Sequence, residues 1–111
     1  MKFFVRGSKT LLCFTAVVSM LPAAARADDA AALFKTKCAA CHGADGKGET
    51  GMGKTLKLRD LSSDDVQKQS DAQLTDIIAN GKNKMPAYKG KITDDQIKQL
   101  VGYIRDLAKK K

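Results

Sequence analysis

The sequence predicts an all-α domain, on three observations. Its C-terminal half carries apolar residues at helical spacing behind two hydroxyl-to-glutamine capping pairs. No stretch sustains the period-two alternation of a strand, and the connecting segments are rich in glycine and charge. No internal repeat is present, and 111 residues bound the chain to one small domain.

The first 27 residues read as a secretory signal peptide rather than as part of that domain. Lys2, Arg6 and Lys9 form a basic start, Leu11 to Leu21 is an apolar run broken by Thr15 and Ser19, and Ala25-Arg26-Ala27 supplies small residues for cleavage. Eleven apolar residues fall well short of the ~20 that span a bilayer, so no stable membrane anchor is expected. Arg6 has no arginine neighbour, and Cys13 lies inside the apolar run behind Leu12, so neither a twin-arginine signal nor a lipidated cysteine is indicated. The mature domain is then residues 28–111, exported to a periplasm, or to a thylakoid lumen in a phototroph.

Within that domain, Asp28 and Asp29 suit a helix start, and Ala30 to Cys41 places Ala30, Phe34, Cys38 and Cys41 along one helical face. Five glycines between Gly43 and Asp60 predict an irregular loop. Ser62 to Gln69 predicts a short helix. Ser70 with Gln73 caps the next one, whose stripe is Leu74, Ile77 and Ile78 and whose stop is Gly81. A second loop, Lys82 to Ile92, holds Met85-Pro86. Thr93 with Gln96 then opens a last helix carrying Ile97, Leu100, Val101, Ile104 and Leu107.

Charge excludes one class of function. Loss of residues 1–27 takes four of the twenty basic residues and none of the twelve acidic ones, which lowers the formal net charge from +8 to +4. Three of the remaining lysines are the terminal Lys109-Lys110-Lys111, a solvated tail that suits the negative end of a helix. No basic stripe with interleaved aromatics remains, so nucleic acid is not an expected partner. A domain of this size gains only ~3–5 kcal/mol from one core, and a large apolar cofactor would make up the deficit.

Cys38-Ala39-Ala40-Cys41-His42 is a C-x-x-C-H sequence, the pattern of covalent haem attachment. Two cysteines one helical turn apart can meet the two vinyl groups on one haem edge, and the next residue can turn its imidazole toward the iron. A thioredoxin-like redox pair would need a βαβ setting, which the pattern lacks. A structural zinc site would need a fourth ligand, and the mature chain has no further cysteine or histidine.

His42 is the only histidine, so the second axial position falls to Met52, Met85, a lysine or nothing. Met85 is preferred. It lies between two well-marked helices, far enough along the chain to reach the opposite haem face, and Pro86 stiffens its backbone. Met52 lies in the glycine-rich loop and reads as filler or as an exposed side chain.

Leu33-Phe34 ahead of the C-x-x-C-H, the run Gly81-Lys82-Asn83-Lys84-Met85-Pro86-Ala87-Tyr88, and Leu100-Val101-Gly102-Tyr103-Ile104 are spread along nearly the whole length of the mature domain. In these segments it resembles the class I cytochromes c, especially the short soluble bacterial and algal kinds. The resemblance implies the cytochrome c fold, with crossed N- and C-terminal helices and loops wrapping one covalently bound haem c. It implies Cys38 and Cys41 as the thioether sites, with His42 as the proximal and Met85 as the distal ligand of the iron. It also implies that Phe34 packs near Tyr103, with Gly102 permitting close helix approach. One departure stands out. Many members carry a proline after the C-x-x-C-H whose carbonyl accepts the proximal imidazole's hydrogen bond, and residues 43–61 contain none.

The function this implies is a monomeric periplasmic carrier, not an enzyme, that shuttles single electrons between redox proteins. The alternatives are a haem subunit of a larger oxidoreductase and an open-site haem protein acting on peroxide or binding gases. Lys82, Lys84, Lys89 and Lys91 flank the Met85 loop. They read either as a basic collar for partners with acidic docking faces or as a solvated loop.

Overall fold

The computed structural model describes Gly7 and residues 24–110, with side chains from Asp29 onward. The predicted signal peptide, apart from Gly7 and residues 24–27, lies outside the described residues, as do Cys13 and Lys111. Six helices follow one another: α1 (Ala24–Lys37), α2 (Ala39–His42), α3 (Gly51–Leu56), α4 (Asp64–Gln67), α5 (Asp71–Asn80) and α6 (Asp94–Lys109). Among the described residues the only β pairing is two isolated bridges, Lys82 with Met85 and Lys89 with Ile92. The all-α expectation is met.

α6 forms where its apolar spacing predicts, and Ile97, Leu100, Val101, Ile104 and Leu107 are all buried. Thr93 accepts from the Gln96 amide while the Gln96 side chain accepts from the Thr93 N–H, the reciprocal pair expected there. Ser70 and Gln73 do the same for α5, which buries Leu74 and Ile78.

α1 and α5 both pack on α6. Phe34 of α1 is almost fully buried, and its ring lies 4.9 Å from that of Tyr103 in a tilted arrangement. That is the contact the resemblance implied. The expectation for Gly102 fails. It is exposed, and a Cβ added there would meet nothing described within 4 Å, so side-chain packing rather than a glycine notch joins the terminal helices.

Four further features differ from expectation. The first helix begins at Ala24, ahead of Asp28 and Asp29, which therefore do not open it. It also breaks at Cys38, and a separate turn, α2, carries Cys41 and His42. The segment 43–60 is not wholly irregular: Thr50 caps α3 by accepting from the Gly53 amide, and Lys57 ends it in a left-handed conformation. The helix expected over 62–69 is a single turn.

A polar clip ties α6 to the chain between α4 and α5. The Gln67 side chain donates to the carbonyls of Leu61 and Ile104. The Arg105 guanidinium donates to the carbonyls of Gln67 and Gln69, to Gln67 Oε1 and to Asp71 Oδ1. This five-bond fork uses the planar donor geometry that lysine lacks.

Candidate functional site

Phe34 and Cys38 join α1 to the attachment turn, because the Cys38 amide still donates to the Phe34 carbonyl at 2.8 Å. The Cys38 carbonyl then accepts from both Cys41 and His42, at 3.3 and 3.0 Å, closing the turn that carries all three residues. Both cysteines are half-buried and free.

The turn is braced from α3. Thr50 Oγ1 donates to the Cys41 carbonyl at 2.7 Å and accepts from the Gly53 amide at 2.8 Å. Gly53 lies so close beneath that a Cβ would sit 2.7 Å from the Cys41 carbonyl oxygen and closer still to that of Gly48. The Gly48 amide donates to the His42 carbonyl at 2.7 Å. α3 is therefore a strut for the attachment turn. Thr50 as a helix cap was readable from its residue type, but the neighbouring glycines obscured it.

A cavity of about 280 Å³ opens beside this turn. Phe34, Cys38 and His42 line one part, and Leu58, Leu61, Val66, Leu74, Ile77, Ile78, Leu100 and Ile104 give it an apolar wall. Met85 and Tyr88 also line it. An adjoining cleft of about 80 Å³ is lined by Cys38, Cys41, His42, Met85, Pro86 and Tyr88. Cys38, His42 and Met85 line both spaces, and Cys41 joins them at the cleft.

Burial lowers the proton affinity of His42, favouring the neutral imidazole whose lone pair can bind a metal. Its Nδ1 is sealed from solvent with no hydrogen-bond partner among the described residues. The missing proline carbonyl is therefore not replaced by another acceptor there. The Cys38 thiol is pushed up to about 11, by desolvation first and by Cys41 second, so it stays protonated at neutral pH.

The loop bearing Met85 is held at several points. Lys82 and Met85 exchange backbone bonds, the Tyr88 amide donates to the Ile78 carbonyl, and the Lys89 amide donates to that of Ala79. The Tyr88 hydroxyl donates to the Lys37 carbonyl at 2.9 Å, fastening the loop to the end of α1. Gly81 is required beneath it: φ is +76°, and a Cβ would sit 2.6 Å from the Met85 carbonyl oxygen. Met52, by contrast, is 52% exposed and lines neither space.

The basic collar is redrawn. Lys82 and Lys84 line the cavity, but Lys89 and Lys91 do not, and the Lys91 ammonium instead sits 5.9 Å from the Tyr88 ring centre. Lys57 and Arg59, distant in sequence from the Met85 loop, complete the cationic margin. Among the described residues no group of three or more His, Cys, Asp or Glu side chains could hold a bare metal ion. No helix among them is long and apolar enough to cross a membrane.

Residues 25–104 match the family model described as cytochrome C oxidase, cbb3-type, subunit III. The chain is 41% identical over 85 residues to cytochrome c6 of Leptolyngbya boryana, covering 74% of this chain and 96% of that one. Over 97 residues it is 39% identical to cytochrome c6 of Thermosynechococcus vestitus, covering 85% and 83%. Among solved structures, the KustC0563 c-type cytochrome superposes with a TM-score of 0.65 at 31% identity, covering 70% of this chain and 95% of that one. Such relatives imply covalent haem c, for which Cys38 and Cys41 supply the C-x-x-C pair. The chain belongs to the cytochrome c6 family of class I c-type cytochromes, which are monohaem electron carriers.

Proposed function

We propose that this chain is an exported, freely diffusing electron carrier. In this reading one haem is bonded through Cys38 and Cys41, with His42 and Met85 as the two iron ligands. The observation that carries it is the convergence of His42 and Met85, 43 positions apart in sequence, on one apolar cavity margined by Cys38.

The residues present suit the group. Each thiol can add across one vinyl double bond, its hydrogen going to the neighbouring carbon, so no oxidant or leaving group is needed. Neutral His42 offers a lone pair on one side, and the Met85 thioether, a soft donor, favours the ferrous state and raises the reduction potential. A bound haem supplies an iron that takes one electron from a reduced partner protein and passes it to an oxidised one. With a haem bound, Leu58, Leu74, Ile78, Leu100 and Ile104 would exclude water from it, and the fastened loop would hold the Met85 thioether in place to bind iron. Substrate chemistry has no place in this scheme.

Carbon monoxide added to the reduced protein provides the test. An unchanged spectrum, together with a one-electron potentiometric titration, is the expected result. Formation of a carbon monoxide adduct at neutral pH would favour the open-site alternative. The oxidase-subunit description of the matching family model favours a second reading, in which the same chemistry operates on a permanent partner. Recovery from cell extracts in a stable complex, rather than as a monomer, would establish it.

A further inference from the structure

The break at Cys38 leaves a helix end to be satisfied. Had α1 run on, the Lys37 carbonyl would accept from the Cys41 amide, one turn along. That amide turns instead to the Cys38 carbonyl at 3.3 Å, and the His42 amide joins it there at 3.0 Å. Carbonyls of a helix's last turn then need partners from outside the helix. For Lys37 that partner is the Tyr88 hydroxyl, 51 positions along the chain, at 2.9 Å.

This bond crosses the site. The backbone bonds of the Met85 loop run within the loop or back to α5: Lys82 with Met85, Tyr88 to Ile78, and Lys89 to Ala79. The Tyr88 hydroxyl reaches the other way, to the peptide that leads into Cys38. Its ring is half-buried against the core and lines both the cavity and the cleft, as do Cys38, His42 and Met85. The turn that carries His42 and the loop that carries Met85 are thereby joined by one side-chain hydrogen bond.

We infer that Tyr88 is a positioning residue for the distal ligand: its hydroxyl, seated on the Lys37 carbonyl, sets how often Met85 leaves the iron and so how fast an outside nitrogen donor can take its place. The inference rests on the His42 and Met85 ligation proposed above. For Met85 to withdraw, its loop must move away from the attachment turn, and Tyr88, three residues on, must release Lys37. Pro86 fixes one backbone angle between them, so little slack separates the two events. A hydrogen bond present in the closed loop and absent from the open one slows opening by about two- to tenfold.

The test is stopped-flow binding of imidazole to the oxidised, haem-loaded protein in wild type, Tyr88→Phe and Arg105→Lys. At saturating imidazole the rate no longer rises with concentration and equals the rate at which Met85 leaves. Tyr88→Phe keeps the ring and removes only the hydroxyl. Its limiting rate should rise about two- to tenfold, with the sulfur-to-iron charge-transfer band still present before imidazole is added. Arg105→Lys weakens the clip at Gln67, Gln69 and Asp71, at the far end of α5 from the loop, and controls for a general loss of stability. Its limiting rate should match that of the wild type.

An unchanged limiting rate in Tyr88→Phe would overturn the inference. So would an equal acceleration in Arg105→Lys, which would make the bond one contribution among many to overall stability. A wild type without the charge-transfer band would instead overturn the Met85 ligation itself, and that failure is seen before any imidazole is added.

Discussion

Gly81→Ala tests how tightly the Met85 loop is built on its neighbours. At φ 76° and ψ 170° the residue occupies a region essentially reserved for glycine, which costs an alanine ~1–3 kcal/mol. Its methyl group would also lie 2.6 Å from the Met85 carbonyl oxygen, 3.0 Å from the Ala87 amide nitrogen and 3.1 Å from the Pro86 carbonyl carbon. All three are backbone atoms of one loop, so the loop must shift as a unit, at a further ~1–3 kcal/mol. The expected loss is about 2–6 kcal/mol. Urea denaturation of the haem-loaded protein should give a midpoint lower by at least about 1 M with an unchanged slope. Gly102→Ala is the counterpart: the site is open and mid-helical, so it should gain up to ~1 kcal/mol. A Gly81→Ala protein as stable as the wild type would refute this account of the loop.

Three further outcomes are expected. Thr50→Val removes one donor and one acceptor from the strut under Cys41 and should cost about 1–3 kcal/mol in the same urea experiment. Arg105→Lys should lose about 1–3 kcal/mol, because an ammonium cannot reach Gln67, Gln69 and Asp71 together. Tyr88 ionises above its ordinary 10.0, because desolvation opposes the phenolate; in the haem-free chain ionised Cys38 and Cys41 add smaller repulsions. Since the folded value is raised, the folded state holds the proton longer, and stability from this hydroxyl is present below pH 10 and lost as pH rises through the folded value. An ultraviolet phenolate titration should show an ionisation above pH 10 that vanishes in Tyr88→Phe.

Features set by local chemistry could be read from the sequence. The Ser70/Gln73 and Thr93/Gln96 caps and the α6 stripe depend on residues within a turn or two of each other, and each formed where expected. α3 was hidden because Gly51 and Gly53 lower helix propensity. Its glycine at position 53 answers to a close approach of the Cys41 and Gly48 carbonyls, a tertiary demand that no local window contains. The break at Cys38 was likewise concealed by continuous helix-forming residues.

At the site, the C-x-x-C-H and Met85-Pro86 were legible as short motifs, and residues of both line the cavity and its adjoining cleft. Lys89 and Lys91 are neighbours of Lys82 and Lys84 in sequence but do not line the cavity with them. The fold instead brings up Lys57 and Arg59 from beyond α3. Met52 and Met85 differ in the stiffness and placement of their loops, and one is exposed while the other packs against the core.

The central claim is that Met85 and His42 hold the iron between them. It is tested most directly by the absorption spectrum of the oxidised protein in wild type, Met85→Ala and Met52→Ala. The account predicts a sulfur-to-iron charge-transfer band in the wild type and in Met52→Ala, and its loss in Met85→Ala. A band that survives in Met85→Ala would contradict it.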